Sequence, residues 1–178
     1  MHGSEINARL STLIDESSLQ ARIRELGAQI REDYGDEPIT CIGVLKGSFL
    51  FMADLVRAIG GPVRCEFLGV SSYQGGTRST GVVRITHDLK QSVEGQHCLL
   101  IEDIVDTGLT MEYLLRMLNL RNPESLKIAS LLDKPSNRKV EVEIDYVGFT
   151  IPDEFVVGYG LDLQGFHRNL PYIAVYHP

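Results

Sequence analysis

Two rhythms of apolar positions run along this chain. Dense apolar runs at Ile39 to Leu45, Leu99 to Ile101 and Leu126 to Leu132 are short, and they read as strands buried on both faces. Between them the spacing changes. Leu19, Ile23, Leu26 and Ile30 recur at intervals of three and four, which predicts an amphipathic helix ending near Tyr34-Gly35. Ser17 and Gln20 stand at capping-box spacing at its start. A second helix is predicted over Phe49 to Ile59, stopped by Gly60-Gly61-Pro62. Met111, Leu114, Leu115 and Leu118 predict a third, ending near Arg121-Asn122-Pro123.

Shorter strands complete the pattern. Ile6 to Ile14 is a weak one, and Val63 to Val70 with Val82 to Thr86 reads as a hairpin. Tyr146 to Phe149, Phe155 to Tyr159 and Ile173 to Tyr176 follow near the end. Strands followed by helices imply an α/β fold with a doubly wound core. The segments before Ser17 and after Lys134 lack helical partners and are expected to form a small cap over the strand ends.

The change of rhythm is sharpest between Cys98 and Met111. The run Leu99-Leu100-Ile101 is expected to end in two adjacent acids, Glu102 and Asp103. Asp106-Thr107-Gly108-Leu109-Thr110 then opens the helix. A helix N-terminus presents unpaired backbone N–H groups at a positive dipole end, which suits a phosphate. Gly108 permits close backbone approach, and the Thr107 and Thr110 hydroxyls add donors. Ionised Glu102 and Asp103 only accept, which suits paired sugar hydroxyls or a hydrated magnesium ion. Asp106 is left as a candidate acid/base group. A lone Asp-Thr-Gly would be read as an ordinary helix cap. Two acids directly after an apolar strand are costly unless something binds them.

Other junctions carry single charges. Lys46-Gly47-Ser48 links a strand to a helix, and Lys134 follows the strand ending near Leu132. In isolation each is a solvated loop lysine. The stretch from Ser71 to Gly81 is polar, glycine-rich and poor in apolar anchors, as expected of a mobile lid.

Composition narrows the class. The chain has 178 residues, 43% hydrophobic, enough for one domain with a sizeable core. A net charge of −7 argues against a general nucleic-acid binder. No apolar run approaches a membrane span, and the N-terminus lacks a secretory apolar segment. Cys41, Cys65 and Cys98 lie in strand-like runs without metal-ligand spacing and are expected to be buried reduced thiols of a cytoplasmic protein.

The string from Ile101 to Thr110 resembles the 5-phosphoribosyl-1-pyrophosphate (PRPP) motif of the type I phosphoribosyltransferases. Leu45-Lys46-Gly47 resembles that family's pyrophosphate loop, which often holds a cis peptide bond. Ser72-Tyr73 matches the pair in the lid of its purine-specific members. Lys134, Phe155-Val156, Asp162 and Arg168 keep the order and spacing of the hypoxanthine–guanine branch. The resemblance covers about Val44 to Val175 and is weakest before Ile39.

It implies a mainly parallel twisted sheet flanked by helices, with a hood formed by about 1–16 and 135–170 and a lid at about 71–81. It implies transfer of the phosphoribosyl group from PRPP to N9 of hypoxanthine or guanine. Glu102 and Asp103 would hold the ribose hydroxyls, and Thr107, Gly108, Leu109 and Thr110 the 5′-phosphate. Lys46, Gly47 and Arg168 would meet the pyrophosphate. Mg²⁺ would be held by Glu102, Asp103 and Asp162. Lys134 would donate to the purine O6, Phe155 would stack on the base, and the Val156 carbonyl would face its edge. Asp106 would serve purine N7. A homodimer or homotetramer with small-molecule substrates is implied, without nucleic-acid or membrane partners. Leu109 stands where some relatives carry lysine, so phosphate binding would rest on amides and hydroxyls. A transferase for another base, and a nucleic-acid-binding regulator on the same fold, are the competing readings; the charge of −7 and the intact Asp106 count against the second.

Overall fold

The computed structural model describes residues 9–72 and 83–178. Tyr73 and most of the expected lid lie outside the described residues. Strand β1 (Leu10–Ile14) leads directly into helix α1 (Glu16–Tyr34). The cap is Asp15, not Ser17. Its carboxylate accepts from the Ser18 N–H at 2.9 Å and from the hydroxyls of Ser17 and Ser18. An ionised acceptor answers the positive helix end better than a hydroxyl does. The Ser17 hydroxyl, then the Ser18 amide, hold this carboxyl down at about 2.

Six strands form the main sheet: β2 (Ile39–Leu45), β3 (Val63–Ser72), β4 (Val83–His87), β5 (His97–Val105), β6 (Ser125–Asp133) and β7 (Tyr146–Thr150). Their order is β4-β3-β2-β5-β6-β7, parallel throughout except for the β3–β4 hairpin. Helix α2 (Phe49–Ile59) follows β2, and α3 (Leu109–Asn119) follows β5. Helices α1 and α2 cover one face with Ile39, Cys41, Leu99 and Ile101. Helix α3 covers the other, packing Met111, Leu114 and Leu118 against Ile42, Leu100 and Ile128. Residues alternate between the two faces, which is why β2 and β5 read as dense apolar runs.

A second, antiparallel sheet has the order β1-β9-β8, with β8 (Val156–Val157) and β9 (Ile173–Tyr176). It joins the start of the chain to its end. Four expectations need correction. Tyr146–Thr150, expected in the hood, instead extends the main sheet beside β6. Tyr146 is buried there, and its hydroxyl donates to Asp33 of α1 at 2.6 Å. Only two residues of the expected Phe155-to-Tyr159 strand are extended and paired, because Gly158 turns the chain with φ of +98°. Strand β5 continues through both acids to Val105. Cys65, on β3, is exposed. No helix among the described residues is long and apolar enough to cross a membrane.

Close approach of α1 and α2 depends on Gly27. A Cβ there would lie 2.5 Å from Ala58 Cβ and 2.6 Å from its carbonyl carbon. Gly27→Ala gains about 1 kcal/mol in helix propensity. Overpacking against α2 costs about 1–3 kcal/mol, so the net change is expected to be destabilising. Urea unfolding of the variant tests this, and a midpoint equal to or above wild type would refute it.

Candidate functional site

Three loops meet at the carboxyl ends of β2, β5 and β6, where open α/β sheets bind ligands. Between two of them lies a cleft of about 270 Å³. Its floor is the end of β5. Glu102 pairs in register with Ser130 of β6, so it sits inside the sheet and is only 7% exposed. Its Oε1 accepts from the Asp103 N–H at 3.3 Å, while Oε2 is buried without a partner. Burial, and then the negative charge of Asp103, push the Glu102 carboxyl well above the usual range. Asp103 lines the same cleft, and its Oδ1 accepts from the Ile104 N–H at 2.9 Å.

The first wall is the loop after β2. The Leu45–Lys46 peptide bond is cis. Lys46 is exposed on the cleft. Any side chain at Gly47 would overlap the Asp103 carboxylate, so this position needs glycine for space. The second wall is the start of α3. Gly108 caps that helix with φ of +84°, a conformation that L side chains rarely adopt. Thr107, Gly108 and Thr110 line the cleft, but Leu109 does not. The third wall comes from the segment between β8 and β9. Asp162 and Arg168 line the cleft as an ion pair at 2.5 Å, and Arg168 also donates to the Gly160 carbonyl at 2.6 Å.

The remaining expected residues do not line this cleft. Asp106 Oδ2 is 4.0 Å from Lys134 Nζ, and Asp106 Oδ1 is buried without a partner. Lys134 is buried and also bonds Asp153 at 3.2 Å. Phe155 is exposed, edge-on to Tyr176 with ring centres 6.2 Å apart, while Val156 is buried. Ser72 ends β3 opposite Val83.

Among the described residues, no three carboxylate, imidazole or thiol side chains converge into a metal cage. Glu102, Asp103 and Asp162 share one cleft without forming a closed ligand set. That suits a hard cation that keeps its waters and takes most other ligands from a phosphate. The unpartnered, buried Glu102 Oε2 is consistent with an electropositive occupant.

Two supporting residues carried no sequence signal. Arg138 pairs with Asp133, and its other terminal nitrogen, Nη1, is buried without a partner. The segment behind it presses on the phosphate-type loop: the N–H groups of Lys139 and Val140 donate to the Thr107 carbonyl at 2.9 and 3.2 Å. Tyr159 donates its hydroxyl to Asp54 of α2, which Gln20 of α1 also bonds at 2.9 Å. That contact docks the Asp162–Arg168 segment over the Lys46 loop. Arg138 lies in a segment without periodicity, and Tyr159 ends an expected strand whose pattern does not name its partner, so only the folded geometry reveals them.

A family model described as a phosphoribosyl transferase domain matches residues 11–164. A hypoxanthine phosphoribosyltransferase from Haemophilus influenzae is 53% identical over 168 residues, covering 93% of this chain and 94% of that protein. A hypoxanthine-guanine phosphoribosyltransferase from Staphylococcus epidermidis is 52% identical over 164 residues, 92% of each chain. Among solved structures, a hypoxanthine phosphoribosyltransferase from Staphylococcus aureus superposes with a TM-score of 0.93 at 47% identity, covering 100% of this chain and 97% of that one.

Glu102 gives a stability prediction for the ligand-free protein. The folded state keeps its proton where the unfolded chain has lost it. Stability therefore falls as pH rises from the ordinary glutamate value toward the raised native one. Glu102→Gln removes that loss, and its amide faces the Asp103 carboxylate as a donor. The buried unpaired group costs about 1–3 kcal/mol, and each kcal/mol recovered raises Tm by roughly 2–4 °C. Calorimetry at about pH 8 should find E102Q the more stable, with the gap narrowing toward the ordinary glutamate pKa. A Tm at or below wild type at the higher pH would contradict this.

Proposed function

The chain belongs to the phosphoribosyl transferase family, and from that membership we propose that it is a purine-salvage hypoxanthine phosphoribosyltransferase. It takes PRPP and hypoxanthine or guanine to IMP or GMP and pyrophosphate. The observation that carries this reading is a pair of buried carboxylate oxygens without partners, Glu102 Oε2 and Asp106 Oδ1, at the carboxyl end of β5. A buried acceptor left unpaired is costly. Ribose hydroxyls and a purine N7–H are donors of the right kind for these two positions.

The bond from C1 of the ribose to pyrophosphate breaks as N9 of the base attacks, through a sugar cation with little covalent help. Glu102 and Asp103 accept the ribose hydroxyls. The N–H groups at the start of α3 hold the 5′-phosphate, with the Thr107 and Thr110 hydroxyls. No lysine stands in that loop, since position 109 is leucine. Lys46, the Gly47 backbone and Arg168 meet the negative charge that grows on the leaving pyrophosphate. A Mg²⁺ ion bound with PRPP would neutralise part of that charge, held by phosphate oxygens with Glu102, Asp103 or Asp162.

Phe155 offers its exposed ring face to the purine. Lys134 donates to O6, which selects 6-oxopurines over adenine, whose amino group is itself a donor there. The Val156 carbonyl faces the base edge. Asp106 accepts the N7 proton as N9 becomes nucleophilic. Unpaired Cys41, Cys65 and Cys98 fit a reducing cytoplasm.

Spectrophotometric assay of hypoxanthine, guanine, xanthine, adenine and uracil with PRPP and Mg²⁺ tests the reading. Turnover of hypoxanthine or guanine, and none of adenine or uracil, is expected. Asp106→Asn should lower kcat by about 10²-fold, the usual scale of an acid–base group. A kcat within a few-fold of wild type would remove Asp106 from that role.

A further inference from the structure

The lysine assigned to the base stands between two carboxylates. Lys134 Nζ is 3.2 Å from Asp153 Oδ1 and 4.0 Å from Asp106 Oδ2. Only the first is a hydrogen bond. Asp153 Oδ1 also accepts from Asn137 Nδ2 at 2.7 Å. These residues come from three segments: the end of β6, a 3₁₀ turn at Pro135–Asn137, and the bend after β7. Backbone bonds fix the segments relative to one another. Lys134 N–H donates to the Val105 carbonyl at 3.0 Å, and Ile151 N–H to the Asp133 carbonyl at 2.9 Å.

A lysine ammonium is a compact charge on a flexible stem, so its neighbours decide where it rests. If Lys134 bonded Asp106 directly, two things would follow. The ammonium would engage the Asp106 carboxylate through Oδ2, the oxygen nearer to it, and weaken its pull on a proton, and it would fill the space that the base edge needs. We propose that Asp153 is a positioning residue that holds the Lys134 ammonium off Asp106, so that one N–H is left for the 6-oxo group and Asp106 is left free for N7. This rests on the roles given to Lys134 and Asp106 above. Asn137 in turn fixes the Asp153 carboxylate. The hydrogen bond from Lys134, then that from Asn137, hold its carboxyl below the usual aspartate range, so it stays ionised at neutral pH.

As an isolated surface ion pair this contact would be nearly irrelevant, because Asp153 is largely exposed. Its importance is directional. It decides between two resting places for one cation within a short radius.

The test is a set of four variants: D153N, D153E, K134A and K134A/D153N. D153N should raise KM for hypoxanthine and lower kcat so that kcat/KM falls by about fivefold in total, the upper range for a partly exposed pair, and leave KM for PRPP unchanged. D153E should restore most of both. In the K134A background D153N should add nothing, because the two changes act through one group. Direct titration gives a readout independent of turnover. D153N should weaken binding of IMP and leave unchanged the binding of the purine nucleotide lacking a 6-oxygen. The role is overturned if wild type makes IMP and D153N matches it, or if the D153N loss is as large without Lys134. It is also overturned if both nucleotides weaken alike. A wild-type protein inert toward both hypoxanthine and guanine would overturn the activity itself, and this role with it.

Discussion

Two carboxylates on consecutive residues of a central strand are the constraint on which the rest of the protein depends. Strand β5 is flanked by β2 on one side and β6 on the other. Glu102 therefore cannot tilt away from the sheet toward water. Its charge can be met only from the end of the strand, and in the ligand-free protein it is suppressed by burial and by Asp103. A site that is uncomfortable when empty gains when a ligand supplies donors or positive charge. On the role proposed for Glu102, stability and function compete at this position, as they commonly do at strained or desolvated sites.

The second constraint is sign. A chain with a net charge of −7 has to hold a polyanion. On the proposed reading, cations and amide dipoles are delivered to it one at a time from separate loops. Lys46 follows β2, the α3 N-terminus follows β5, and Arg168 precedes β9. Rigid strands hold the loops, and the loops carry the chemistry. The contact of Tyr159 with Asp54 matters in this light. It ties the segment bearing Asp162 and Arg168 to the helix behind Lys46. Two walls of one cleft, far apart in sequence, are thereby held by side chains outside it.

Crowding is the third. Gly47 lies against the Asp103 carboxylate, and Gly108 lies under the Val140 carbonyl. Both glycines admit polar groups into spaces where a methyl would not fit. The same segment that crowds Gly108 bonds the Thr107 carbonyl through two amides. The phosphate-type loop is thus braced from behind by residues 138–142, with Arg138 anchored to Asp133.

Local pattern determined much of this protein. Periodicity marked α1, α2 and α3 and the parallel strands between them, because burial of one helix stripe or both strand faces forces a repeat on the sequence. The string Glu102 to Thr110 and the Lys46-Gly47 junction were legible for a similar reason. Each is a few consecutive residues long, and both line the same cleft. Non-local partners were not legible. Glu102 looked like the first residue past a strand, and only its register with Ser130 places it inside the sheet. Tyr146–Thr150 looked like part of a cap, yet it has β6 beside it and Asp33 to accept its tyrosine. Ser17 offered a capping motif, but Asp15 is the stronger acceptor at the same helix end. Asp153, Arg138 and Tyr159 act through residues 19, 5 and 105 positions away. A sequence records which groups a chain owns and how they repeat. Which charge stands beside which other is decided when distant segments are packed together, because Coulomb and hydrogen-bond energies depend on separation in space.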